Sequence, residues 1–159
     1  AINYAEKSNK IPFQALSNHF SLAHMIEPVW PGCESSSNED FRKFLKKKNI
    51  PLFPWSSQAR GFFLKDTSDR KSYNSADPNL DEQKRVWHSE ENLMKRDRCF
   101  AMAKDKGFEP IEIALAYVLN QDFPVFPLIG PRNLLETESS VNSLKVKLTM
   151  EEMKWLDLN

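Results

Sequence analysis

Ile50 to Trp55 (IPLFPW), followed by Ser56 to Phe63 (SSQARGFF), is the stretch that decides the fold. Its first six residues form a short apolar run of strand length, with Pro51 and Pro54 arguing against a regular strand. Two runs of the same kind lie elsewhere: Ile11 to Leu16 (IPFQAL), ending in Ser17-Asn18-His19, and Val125 to Ile129 (VFPLI), leading into Gly130-Pro131-Arg132. Helical patterns separate them. Asn3 to Asn9 reads as the tail of a helix whose beginning is absent, with Lys7 and Lys10 near its positive-preferring end. Glu39 to Asn49 places Phe41, Phe44 and Leu45 on one helical face with lysines opposite. Leu64 to His88 is polar and reads as a long loop, either functional or disordered. Ser89 caps the next helix, with Glu90 and Glu91 in its first turn and Gly107 as its stop. Pro110 to Asn120 is apolar on most faces and therefore a buried helix. Thr149 and Glu152 form a capping box for the last helix, with Leu148 placed to staple against Met153. Such alternation implies right-handed βαβ units, hence an α/β fold with a parallel sheet and helices outside it. A doubly wound sheet and a barrel alternate in the same way, and no internal repeat separates them.

Composition bounds the function classes. The 159 residues suit one domain, with 40% apolar and 28% charged residues. Lys plus Arg is 22 and Asp plus Glu is 22, so no net field draws nucleic acid or an anionic membrane. Arg42, Lys43 and Lys46 to Lys48 read as the solvated end of a helix, since nothing basic or aromatic extends them. Cys33 and Cys99 lie far apart without ligand-like neighbours, which speaks against a metal motif or a disulfide framework. Neither a signal peptide nor a run of membrane-spanning length is visible. A cytoplasmic protein, with no metal, nucleic-acid or membrane partner, is the expectation.

Three segments narrow the fold. Asn18 to Cys33 (NHFSLAHMIEPVWPGC), Trp55 to Phe63 (WSSQARGFF) and Phe123 to Arg132 (FPVFPLIGPR) resemble the aldo/keto reductase family, and most of all a branch with tryptophan as the aromatic after the seventh strand. Their spacing fits, as does the tail from Asn133 to Leu158, so the resemblance covers essentially the whole chain. It implies a (β/α)8 TIM barrel with NADPH or NADH across the C-terminal strand ends. Residues 1–159 would be the C-terminal half of one barrel domain, with its sixth to eighth strands and flanking helices.

The resemblance also assigns cofactor-binding residues. Ser17 stands where the family usually has a Gln that bonds the nicotinamide carboxamide, and Asn18 is its neighbour; which of the two reaches the amide stays open. The plainer reading is a polar pair that satisfies backbone groups at a strand end. Trp55 matches the aromatic on which the nicotinamide stacks, a role of orientation. Ser56, Ser57, Gln58, Ala59, Arg60 and Gly61 resemble the loop whose backbone N–H groups cradle the pyrophosphate, with Gly61 permitting close approach and Arg60 adding charge. Gly130 and Arg132 open the loop that holds the adenosine 2′-phosphate, so Arg132 favours NADP over NAD. Ser139 and Ser140 fall where relatives face the adenine. His19, His24 and His88 are scattered and read as structural.

The family's Asp, Tyr, Lys and His tetrad lies on its first four strands, and no position here matches it. The expectation is a chain unable to reduce a carbonyl and unstable as a monomer, because three strands leave two open edges. The readings left open are a fragment of a working reductase, preferred because the chain starts mid-helix without Met, an inactive remnant, and a regulatory protein that keeps a nucleotide site. For the parent enzyme the substrate would be a small-molecule carbonyl, met here by the Leu64 to His88 loop with Phe62 and Phe63.

Overall fold

The computed structural model describes residues 1–64 and 78–159. Its elements in chain order are α1 (Ile2–Lys7), α2 (Glu39–Lys48), a 3-10 turn (Ala59–Gly61), α3 (Pro78–Trp87), α4 (Glu90–Lys106), α5 (Pro110–Leu119), α6 (Leu134–Asn142), a second 3-10 turn (Ser143–Lys145) and α7 (Met150–Leu156). None of these helices is long and apolar enough to cross a membrane.

The three apolar runs lie side by side in parallel, with Leu16 bridged to Leu52 and Leu52 bridged to Val125. Their hydrogen bonds follow the parallel pattern. The Leu16 N–H donates to Pro51 O (3.0 Å) and the Phe53 N–H to Leu16 O (2.8 Å); the Leu52 N–H donates to Pro124 O (2.9 Å) and the Phe126 N–H to Leu52 O (2.8 Å). The runs are joined by isolated bridges, with His19 to Trp55 repeating the register of Leu16 to Leu52, rather than by the continuous strands expected over 11–16, 50–55 and 125–129. Proline accounts for this. Pro51, Pro54 and Pro124 sit where the next donor of each ladder belongs and have no N–H.

Residues of the runs alternate in environment, as a period of two requires. Leu52 is fully buried and Leu16 and Val125 pack on the core, while Phe53 and Phe126 point to the other side and stack with ring centroids 5.3 Å apart. Helices cover the first face. Phe20 stacks on Tyr117 of α5 and meets Phe123 edge-on, and Leu45, Trp87, Ile113, Met153 and Leu156 complete the core. Burying such side chains contributes about 1.5–3 kcal/mol each, which makes this layer the main stabilising element.

The helix ends follow their local chemistry. Ser89 Oγ accepts the Asn92 N–H and Gly107 closes α4 at φ 74°, a left-handed position natural to glycine. The expected loop over 64–88 is corrected in part: residues 78–87 form α3, opened by a proline at its first turn, while residues 65–77 lie outside the described set. Phe62 and Phe63 are also corrected, being core residues at 3% and 0% exposure rather than pocket walls.

Candidate functional site

A cleft of about 800 Å³ opens between the loop after the Leu52 run and the loop after the Val125 run. Seven of the expected cofactor residues line it. Ser56, Gln58, Arg60 and Gly61 come from the first loop, Gly130 and Arg132 from the second, and Ser140 from α6. Both loops leave neighbouring parallel runs at the same end, which is why residues more than sixty positions apart meet.

The first loop is unusual in its backbone. Ser56, Ala59 and Arg60 take φ values of 51°, 47° and 49°, and Gly61 follows at 86°. Left-handed residues in sequence curl the chain tightly. The N–H groups of Ala59, Gly61 and Phe62 close turns on Ser56, Gln58 and Ala59 carbonyls at 2.8, 3.0 and 3.0 Å. These three donors are therefore engaged within the loop. The charged group that this arm brings to the cleft is the Arg60 side chain.

Both arginines meet carboxylates. Arg60 Nη1 pairs with Glu82 of α3, and its Nε donates to Ser56 Oγ at 3.4 Å. Arg132 donates from Nε and Nη2 to Glu136 Oε1 at 3.1 and 2.9 Å, and its backbone N–H donates to Oε2 at 2.7 Å. The Arg132 side chain is two-thirds exposed, so solvent weakens that pair. Ser140 Oγ donates back to Glu136 O at 2.8 Å within its helix. Beside it, Ser139 Oγ is buried and has no hydrogen-bond partner among the described residues. A Cβ on Gly130 would meet nothing within 4 Å.

The other expected residues lie apart from this cleft. Ser17 Oγ donates to Phe53 O at 2.9 Å and so supplies the cross-run bond that a longer ladder would have made. Asn18 is half-buried next to it. Trp55 bridges to His19 through its backbone, and its ring is stacked on Trp30 with centroids 4.6 Å apart and planes at 30°. Nothing local to Trp30 in the sequence announces that contact.

His19 is fully buried against Trp55 and Trp87. Ser21 donates its one proton to Ala23 O at 2.5 Å, so its oxygen accepts from His19 Nε2 at 3.2 Å, and Nδ1 faces Ser35 Oγ at 3.0 Å. Burial, then the charges of His24 and Arg60, pushes the imidazole down to about 3. A neutral, satisfied histidine of this kind holds structure. Among the described residues no group of three or more His, Cys, Asp or Glu is placed to hold a metal ion.

The aldo/keto reductase family profile matches residues 1–158. Among curated relatives, a putative aryl-alcohol dehydrogenase of Saccharomyces cerevisiae is 28% identical over 114 residues, 72% of this chain and 33% of that protein. Versiconal hemiacetal acetate reductase of Aspergillus parasiticus is 28% identical over 109 residues, 68% of this chain and 32% of its own. A probable aldo-keto reductase 1 of Glycine max is 25% identical and covered over 40% of its length. The chain thus spans a third to two fifths of these relatives. A crystal structure of a thermostable aldo-keto reductase bound to the inhibitor epalrestat superposes with a TM-score of 0.56 at 16% identity, over 98% of this chain and 43% of that one, a likeness of fold. The chain belongs to the aldo/keto reductase family.

Proposed function

We propose that this chain supplies the nucleotide-holding side of an NAD(P)H-dependent oxidoreductase that interconverts small-molecule carbonyls and alcohols. In this reading the runs at Leu16, Leu52 and Val125 are the sixth to eighth staves of a (β/α)8 barrel. The observation that carries it is the single cleft of about 800 Å³ joining the Arg60 loop to the Arg132 loop. Its volume falls in the range of about 300–1,000 Å³ usual for ligand sites.

The residues present fit a phosphorylated dinucleotide. Two guanidinium groups stand along one cleft, each on a carboxylate partner that a phosphate can replace, and the orphaned Ser139 hydroxyl adds a polar group for the adenosine end. Arg132, with its planar fork, suits a 2′-phosphate and favours NADP over NAD. At the far end the flat Trp55 ring would fix which nicotinamide face meets substrate, with Ser17 and Asn18 beside it. When bound, the nicotinamide supplies or takes up the hydride. The proton-transfer groups belong to a part of the family domain that this chain does not span.

Calorimetric titration of the protein with NADP+ and NAD+ tests this. Arg132→Leu removes a charge-assisted bidentate contact of about 1.5–3 kcal/mol, so NADP+ binding weakens by roughly tenfold or more while NAD+ binding holds. Equal loss for both nucleotides sinks the 2′-phosphate assignment. No binding of either nucleotide by folded protein sinks the nucleotide site.

A further inference from the structure

Three side chains of one helix, α3, tie two loops together. α3 reaches the Arg60 loop with Glu82, which pairs with the Arg60 guanidinium, and with buried Gln83, whose Nε2 donates to Arg60 O at 3.0 Å. Three residues after Glu82, Arg85 reaches a second loop. Its Nη1 donates to Pro28 O at 2.8 Å and to Glu27 Oε2 at 3.3 Å, and its Nη2 to Val29 O at 3.1 Å. The Val86 carbonyl also accepts the Ile26 N–H at 2.8 Å. Those bonds fix the backbone that carries Trp30, whose ring lies flat on Trp55 although 48% of its surface remains exposed. A half-exposed indole on a loop tied to α3 by the Arg85 guanidinium and one backbone bond is a cover rather than a core residue.

We propose that α3 is a two-ended latch on the nucleotide site, a proposal that rests on the reading above. Closed, as here, it gives Arg60 a carboxylate in place of a phosphate and holds Trp30 on Trp55 in place of a nicotinamide ring. Ring centroids at 4.6 Å leave no room for a third ring between the two indoles. A phosphate that takes Arg60 from Glu82 loosens α3, and with it the Arg85 hold on residues 27–29, so the ring platform opens when the other end of the dinucleotide has docked. Trp30 and Arg85 are positioning residues in this scheme, since neither is required to touch the reacting atoms. The latch weakens apparent affinity by the fraction of molecules that are open; a closed fraction of about nine-tenths costs about tenfold.

Stacked indoles couple excitonically, so circular dichroism reads the closed state directly, and Trp30→Phe assigns the signal. The probes are NADP+ and 2′-phospho-ADP-ribose, which carries every part of NADP+ except the nicotinamide ring. The expected results are loss of the couplet on adding 2′-phospho-ADP-ribose to the wild-type protein, and loss without ligand in Arg85→Gln. NADP+ binding in Arg85→Gln tightens about tenfold. Glu82→Gln, checked for intact helical signal, gives the second variant: 2′-phospho-ADP-ribose binds several-fold more tightly there. If only NADP+ removes the couplet, the rings compete directly and the latch is overturned while the nucleotide site stands. A couplet that persists in Arg85→Gln overturns it equally. If wild type and both variants bind neither probe, the nucleotide reading fails and takes the latch with it.

Discussion

His19 shows what one residue contributes when its charge is excluded. Its imidazole is neutral, edge-on to Trp55, tilted against Trp87 and bonded to two serine hydroxyls, and its pKa lies at about 3 against an ordinary 6.5. The unfolded chain takes up this proton first as pH falls. The stability from a neutral His19 is therefore whole above pH 6.5 and is lost as pH drops from 6.5 toward about 3, at up to about 1.4 kcal/mol per pH unit. Thermal unfolding followed from neutral pH down to about 5 stays above the ordinary carboxylate range, and comparison with a His19 variant separates this group from the other two histidines. His19→Gln keeps a donor and an acceptor without titrating, so its melting temperature should fall less steeply over that window; slopes that match the wild type reject the assignment. At this scale the sequence was legible in the kind of role a residue plays and not in its distant partners, Ser35 for His19 and Phe53 for Ser17, which lie 16 and 36 positions away. His19 read as structural, and Ser17 read on one account as a group satisfying backbone, as its bond to Phe53 O has it. Trp30 on Trp55 was not legible, because a contact across 25 positions leaves no local pattern.

The helices were legible from their ends. Ser89, Gly107, Pro110 and Thr149 all mark termini where the structure has them, because caps are chemistry between residues three or four apart. The same logic applies to α3. Pro78 at the first turn, Asp81 in it, and Lys84 with Arg85 in the last turn are the charges a helix dipole favours, inside a stretch polar enough to read as loop. The strands were less legible, since each was cut to isolated bridges once its prolines removed the next donor. The seven-residue α7 tests how much a cap decides. A helix so short is marginal by propensity, and its capping box joins Thr149 Oγ to the Glu152 N–H (3.2 Å) and Glu152 Oε2 to the Thr149 N–H (2.8 Å). Thr149→Ala should cost about 1 kcal/mol in urea unfolding while Thr149→Ser costs little. An equal loss in both would assign the effect to the threonine methyl group instead.

Across the whole molecule, four helices and a loop are tied together at one buried acid near the end of the chain. Asp157 accepts from Lys95 Nζ of α4 at 2.9 Å and from Arg42 Nη1 of α2 at 2.8 Å, and faces His24 Nε2 at 3.3 Å. Arg42 also donates to Tyr117 OH of α5 at 2.8 Å, and Lys95, itself fully buried, reaches Glu91 at 2.9 Å and His24 at 3.0 Å. Burial by itself would raise the Asp157 carboxyl; the hydrogen bond from His24 and the Lys95 and Arg42 charges outweigh it and hold the group well below the usual carboxylate range. None of this could be read from Glu90 to Lys106, where Lys95, Arg96 and Arg98 look alike and only the packing of α7 selects which one loses water. Such a clasp is conditional. Taken as a set its charges add little over apolar packing, because desolvation opposes their attraction, but a single deletion leaves a buried charge without its partner. Lys95→Met should therefore lose about 3–5 kcal/mol, Asp157→Asn a comparable amount, and the double variant clearly less than the sum. Urea midpoints and slopes for the four proteins measure the cycle. Strict additivity would mean that Lys95 and Asp157 act through separate contacts, and that the joining of α2, α4 and α7 resides in apolar packing instead.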